Sequence, residues 1–264
     1  MIPRAYIDYW RSYAPWSSDA QVEQDLAIMR MIVMLFSDDT VRRELAFRGG
    51  TALHKLYLSP SARYSEDIDL VQRNAGPIGP LVDRIRELLD PVFGEPKRSR
   101  GEMMFTLYYR FRTEIEPAIN TRIKIEINGR EHGSVFGFRQ LPQRVESPWF
   151  ADGCEVTTYC VEELLGTKLR ALYQRRKGRD LFDIFHAHTH LQPAPARCVE
   201  AFRMYLAQQG LRVSRSDFEA NLAQKLLDQG FRSDIEPILR SDIDYDIDQA
   251  FQLLTSCYLP LLPL

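Results

Sequence analysis

An α/β core followed by a helical C-terminal lobe is the fold this sequence predicts, and three observations predict it. Thr121 to Asn128 alternates with the period of a strand: Ile123, Ile125 and Ile127 on one face, Lys124, Glu126 and Asn128 on the other. A Gly49-Gly50 turn leads into a helix start and then into Asp67 to Val71, a second strand. Near Tyr159 the composition changes, and apolar residues from there on recur at helical spacing. The expected domains are an α/β unit over 1–158 and a helical lobe over 159–264.

The N-terminal elements follow from periodicity and caps. Tyr6, Tyr9, Trp10, Tyr13 and Trp16 recur at three- and four-residue spacing, so residues 5–16 predict a short amphipathic helix. Its aromatic stripe docks on the protein's own core or, alternatively, takes a base or a partner. Ser17, Ser18 and Asp19 offer caps for a helix from Gln21 to Phe36, with Val22, Leu26, Met29, Ile32, Val33 and Phe36 inward. Asp38 and Asp39 start a short helix to Leu45, and Ala46-Phe47 leads into the glycine turn.

Beyond the second strand, Gly76-Pro77 and Gly79-Pro80 break the chain before a helix over Leu81–Leu89. Pro91 to Gly101 reads as a loop carrying Lys97, Arg98 and Arg100, and Met103 to Phe111 as a strand. Residues 132–158 read as short strands and loops. Val161 to Arg176 is a helix with Val161, Leu165, Leu169 and Leu172 inward, and Gly178 separates it from the next, which starts at Arg179 to Asp183. From Gln192 onward the chain reads as helices to which no function attaches.

Composition excludes several classes. The 264 residues are 45% hydrophobic and 27% charged with a net charge of −2, an ordinary globular balance without a global basic field for nucleic acid. Any RNA contact has to be local. The four cysteines show no zinc spacing, so a reduced, cytoplasmic setting is expected. The first residues lack the apolar stretch of a signal peptide, and the longest apolar run, Met31–Phe36, is too short to cross a membrane. His186, His188 and His190 alternate and would not converge on one helix face, so zinc is not expected there. Asp242, Asp244, Asp246 and Asp248 lack the glycine and the terminal glutamate of a calcium loop.

The chemistry gathers around the glycine turn. Gly49 and Gly50 let the backbone approach a ligand closely, and Thr51 is placed to cap the helix that follows, so its start can face an anion. Asp67 and Asp69 share one strand face. Adjacent carboxylates repel unless a cation sits between them, and oxygen ligands so spaced suit Mg²⁺ shared with phosphates. Glu126 lies on the polar face of the later strand, as a third carboxylate or as the outer face of an edge strand.

Phe47-Arg48-Gly49-Gly50-Thr51-Ala52-Leu53 with Arg63-Tyr64-Ser65-Glu66-Asp67-Ile68-Asp69-Leu70 resembles the signature of polymerase-β-type nucleotidyltransferases. The wording, and the 17 positions from Gly50 to Asp67, resemble one branch, the AbiEii/AbiGii toxins that include the MenT toxins. Lys-Ile-Glu-Ile-Asn at 124–128, Glu-Leu-Leu-Gly-Thr-Lys-Leu-Arg-Ala-Leu at 163–172 and Arg179-Asp180-x-x-Asp183 extend the resemblance over roughly residues 20 to 190.

The resemblance implies a polymerase-β-like core with a mixed sheet, an active site in the cleft between core and lobe, and transfer of a nucleoside monophosphate from an NTP to a hydroxyl. Asp67, Asp69 and Glu126 would hold Mg²⁺ or Mn²⁺. Gly49, Gly50, Thr51 and Ser65 would meet the nucleotide's phosphates. Lys168 borders an apolar helix stripe, where it snorkels to water or holds the triphosphate. The resemblance favours the second and adds Arg179, Asp180 and Asp183 to the site. Arg175, Arg176 and Lys177, with Arg179, form the densest basic patch in the chain and are the candidate contacts for an acceptor RNA. The resemblance further implies a toxin, tRNA as acceptor and a separately encoded antitoxin; a monomer is the expected state. A small-molecule nucleotidyltransferase and a catalytically silent binding module are the alternatives.

Overall fold

A computed structural model describes residues 2–101, 104–114 and 118–264 of the chain. These fall into two compact units, Met1–Tyr159 and Cys160–Leu264.

In the first unit, α1 (Arg4–Trp10) precedes the long α2 (Asp19–Ser37) and α3 (Asp39–Glu44). Asp38 caps α3 by accepting from the Val41 amide. Part of the aromatic stripe docks on the protein's own core. Trp10 and Trp16 are buried and both donate to Asp25 of α2, at 3.0 and 2.9 Å. Tyr9 and Tyr13 stay exposed. Asp25 also takes the Lys55 ammonium, so a buried carboxylate is satisfied from three sides.

Next come β1 (Leu45–Arg48), α4 (Gly49–Ala52) continuing as a π turn over Leu53–Tyr57, β2 (Asp67–Gln72) and α5 (Gly79–Phe93). Five strands complete the unit: β3 (Lys97–Arg100), β4 (Met104–Arg112), β5 (Asn120–Asn128), β6 (Arg139–Glu146) and β7 (Ala151–Thr158). The described residues form one seven-stranded sheet in the order β3-β4-β5-β2-β1-β7-β6. Strand pairs β1–β7 and β2–β5 are parallel and the others antiparallel, a mixed sheet.

Three local expectations change. Leu45–Arg48 is a strand, not a lead-in: it lies between β2 and β7 with its first three residues buried, so no alternation marks it. Lys97–Arg100 is a strand as well, made by pairing with β4. It is an edge strand, and its exposed cations guard that edge against further pairing. Helix α5 runs past the expected Leu89, through Pro91 to Phe93. Strand β4 is found where alternation placed it, although Met103, its expected start, lies outside the described residues.

The second unit contains α6 (Val161–Gln174), α7 (Gly178–Leu191), α8 (Pro195–Ala207), α9 (Arg215–Leu226), α10 (Gln229–Ser233) and α11 (Ile247–Cys257). Close packing needs its glycines. A Cβ at Gly166 would crowd Ala201 of α8, and one at Gly178 would collide with the Phe231 carbonyl. Asp246 caps α11, and Asp242 and Asp248 pair with Arg240 and Arg232, so three of the four tail aspartates have local tasks. No helix among the described residues is long and apolar enough to cross a membrane.

Candidate active site

Strands β1, β2 and β5 lie side by side, and their register decides which side chains meet. Arg48 stands opposite Asp69, and Asp69 opposite Glu126. One step along, Asp67 stands opposite Lys124. Because side chains alternate, Asp67, Asp69, Lys124 and Glu126 share one face. Ile68, Leu70, Ile123, Ile125 and Ile127 fill the other and are buried. The expected convergence of Asp67, Asp69 and Glu126 on one face is therefore present. Glu126 is not on an edge, since β5 is flanked by β4 and β2.

The glycine turn abuts this face. Gly49 has φ +79°, in the left-handed region that favours glycine. A Cβ there would collide with Asp69 Oδ2, so only glycine lets the helix start close on that carboxylate. Thr51 does not cap the helix; α4 starts at Gly49 with Arg48 in the cap position. The Thr51 hydroxyl lies 2.7 Å from Ser65 Oγ and 2.5 Å from the Asp67 carbonyl, so it ties the helix to the entry of β2.

The electrostatics are those of crowded carboxylates. Burial pushes the Asp69 carboxyl above the ordinary carboxylate range, and Asp67 and Glu126 add to this, against Arg48 and Lys124. The Lys124 ammonium lies between Asp67 Oδ2, at 2.9 Å, and Glu126 Oε2, at 3.0 Å. Burial works against its charge, but these two carboxylates outweigh that and raise its pKa. Arg48 binds Glu131 at 2.7 Å and is likewise held protonated, since Tyr159, Glu131 and Asp69 outweigh its burial.

Sequence reasoning missed Arg48 and Lys124 as site residues. The signal for Lys124 was its place on the same strand face as Glu126. Arg48 had none beyond its place beside the glycine pair.

Hard carboxylate oxygens are the donors that Mg²⁺ or Mn²⁺ takes. The Asp69 carboxyl, raised first by burial and then by Asp67 and Glu126, is the group a bound cation would return to its charged form. Among the described residues no three His, Cys, Asp or Glu side chains stand close enough to hold a metal as they are placed. Lys124 occupies the position between two of the three carboxylates. The donor set suits a divalent cation by its chemistry, with the ammonium supplying the counter-charge in this arrangement.

The other expected residues lie in the helical unit. Lys168 of α6 reaches Asp180 at 3.1 Å and Asp183 at 2.7 Å, both on α7. It does not snorkel, being buried with both partners. Arg175 forms a two-pronged pair with Asp180 at 2.7 and 2.8 Å. Burial works to raise the Asp180 carboxyl, but Lys168 and Arg175 win and hold it below the usual range. Arg176 pairs with Asp228, and Lys177 and Arg179 both pair with Asp234. Each cation of the densest basic patch thus has a carboxylate partner, and the patch fastens the α6–α7 turn to the segments carrying Asp228 and Asp234.

No curated protein sequence matches this chain. Solved structures share its fold, among them two chains of similar length. MenT4, a nucleotidyltransferase toxin from Mycobacterium tuberculosis H37Rv, is 17% identical with a TM-score of 0.57, over 96% of this chain and 99% of that one. JHP933 from Helicobacter pylori is 17% identical with a TM-score of 0.54, over 92% of each chain. The family model described as nucleotidyl transferase AbiEii toxin, type IV toxin–antitoxin system, matches residues 30–253. That span contains the glycine turn, the three carboxylates and the α6–α7 pair, and the chain belongs to the AbiEii family of toxin nucleotidyltransferases.

Proposed function

We propose that the face carrying Asp67, Asp69 and Glu126 transfers a nucleoside monophosphate from an NTP to a hydroxyl of an RNA, the 3′ end of a tRNA. The family supports the NTP substrate and a partner antitoxin. The observation that carries the chemistry is the register: Asp69 opposite Glu126, Asp67 two residues away, and the Gly49 helix start closed against Asp69.

In the reaction the acceptor oxygen forms a bond to the α-phosphorus, the bond to the β-phosphate oxygen breaks, and pyrophosphate leaves. Asp69, closed against the Gly49 helix start, accepts the hydroxyl proton. Asp67, Asp69 and Glu126 would hold Mg²⁺ or Mn²⁺, which when bound supplies charge stabilisation for the phosphates. Lys124, released from its carboxylates, meets the triphosphate. Gly49 and Gly50 present backbone amides at the helix start. Ser65, already bonded to Thr51, positions the approach to β2.

Lys168, Arg179, Asp180 and Asp183 enter differently. The charge of Lys168 is spent on two buried carboxylates, so its task is to hold α6 against α7. Arg175, Arg176 and Lys177 are paired as well, which leaves their cluster little net charge for RNA. The setting proposed is the cytoplasm, where NTP and tRNA meet.

Incubation with each labelled NTP and total RNA, followed by sequencing of labelled 3′ ends, tests the reading. Labelled tRNA ends in the presence of Mg²⁺ are expected. Label on small hydroxylated antibiotics but on no RNA would assign a small-molecule acceptor instead.

A further inference from the structure

Positive charge without a carboxylate partner lies on the other side of Lys124. Arg110 and Arg112 of β4 and Arg122 of β5 are exposed, and none of them has an ion-pair partner among the described residues. The register sets Arg110 directly opposite Arg122, and Arg112 opposite Asn120. Like charges placed directly across a strand pair destabilise it. With Glu66, Phe111 and Asn120 these arginines line an open groove of about 700 Å³.

The groove adjoins the acidic face. Glu66 immediately precedes Asp67. Arg122 shares its strand face with Lys124 and Glu126 and precedes Lys124 by two residues, about 7 Å along the strand. The Arg122 guanidinium lies over the Tyr108 ring at 5.3 Å, and Phe111 lines the groove.

We propose that Arg110, Arg112 and Arg122 hold the sugar–phosphate backbone of the acceptor RNA and lead its end to Asp67, Asp69 and Glu126. This rests on the nucleotidyl-transfer reading above. Guanidiniums repeated along a strand, two residues apart, suit a chain of phosphates spread along a backbone. A triphosphate is compact and would be met at one point. The denser cluster at 175–179 has spent its charge on Asp180, Asp228 and Asp234.

The test uses the full chain with Arg110→Glu and Arg122→Glu together. Binding of a fluorescent single-stranded oligoribonucleotide is followed by anisotropy across a salt series, and labelled-NTP binding by equilibrium dialysis. RNA affinity should fall at least about tenfold. The slope of log affinity against log salt should flatten by about 1.4, from two phosphate contacts at about 0.7 each. NTP affinity should stay unchanged, and Arg110→Lys with Arg122→Lys should keep most RNA binding. Should the charge reversal fail to fold, Arg110→Gln with Arg122→Gln gives the same readout.

Unchanged RNA affinity and slope would overturn the proposal. So would loss of NTP binding with RNA binding kept, which would make the groove a triphosphate site. If the reversal abolishes RNA binding but the wild-type chain labels no RNA with any NTP, the groove stands and the transfer reading falls.

Discussion

Asp67, Asp69 and Glu126 with Lys124, and Asp180 and Asp183 with Lys168, are clusters of the same residue types with opposite fates. In the first, the side chains of Asp67, Lys124 and Glu126 keep 33%, 24% and 19% of their exposure. In the second, Lys168 keeps 7% and both aspartates none. The first stands on adjacent strands, where alternation lines up carboxylates side by side; Asp69, the most enclosed of them, is raised by burial and further by Asp67 and Glu126. The second stands between two helices, where a lysine from one closes on carboxylates one turn apart on the other. Asp180 is lowered there, with a second cation from Arg175. An unbalanced, accessible cluster can take a cation and do chemistry; a balanced, sealed one holds helices together.

The sharpest test is Asp69→Asn. Transfer should fall about 10³-fold in single-turnover assays with labelled NTP, as when a group aimed at developing charge is lost. Stability should rise by about 0.5–2 kcal/mol in urea unfolding, because a carboxylate raised by burial, and further by Asp67 and Glu126, is neutralised. Lower stability in this variant would break the contrast.

Asp183→Ala should instead lower stability by about 3–5 kcal/mol, since it removes one of the two carboxylates that Lys168 meets in a buried site. Lys168→Met with Asp183→Leu should recover most of the loss, because apolar residues of similar volume replace a buried pair well. A thousandfold loss of transfer in that folded double variant would show the sealed cluster to be chemical after all.

Lys124→Met sharpens the metal assignment. Without the ammonium, Asp67 and Glu126 repel, and stability without metal should fall by about 1 kcal/mol. Added Mg²⁺ should raise the melting temperature more than in wild type, since the ion no longer competes with the lysine. An equal response in both chains would place the metal elsewhere.

The smallest effect is a difference of sign with pH. Asp180, lowered in the fold, contributes stability above its unfolded pKa of about 3.9, lost as pH falls through its lower folded value. Asp69, raised, costs stability above its folded value, and that cost disappears as pH falls to about 3.9. The stability gap between wild type and Asp69→Asn should therefore close as pH falls through the raised Asp69 value and be gone near pH 3.9. The gap to Asp180→Asn should persist there and close only at lower pH. Urea midpoints measured from pH 3 to 8 check both.

Much of this molecule was legible in one dimension. Alternation in Ile123–Asn128 and the Asp-x-Asp of Asp67 and Asp69 are local patterns, so strands β2 and β5 and the shared face of the two aspartates followed from period alone. The wording around Gly49 to Asp69 carried the family. What lay beyond local pattern was pairing. Strand β1 is buried by neighbours on both sides and shows no alternation, and β3 is charged throughout and exists because β4 binds it. Thr51 looks like a cap in the sequence because its partners, Ser65 and the Asp67 carbonyl, come 14 and 16 residues later. Lys124, Arg48 and the groove arginines at 110, 112 and 122 acquire meaning only from register across strands. Lys168 and the cations at 175–179 lose their freedom to carboxylates that a linear reading cannot see beside them. A residue's type and period are set within a few positions of chain, whereas its charge balance depends on partners that only the folded chain brings within 3–4 Å.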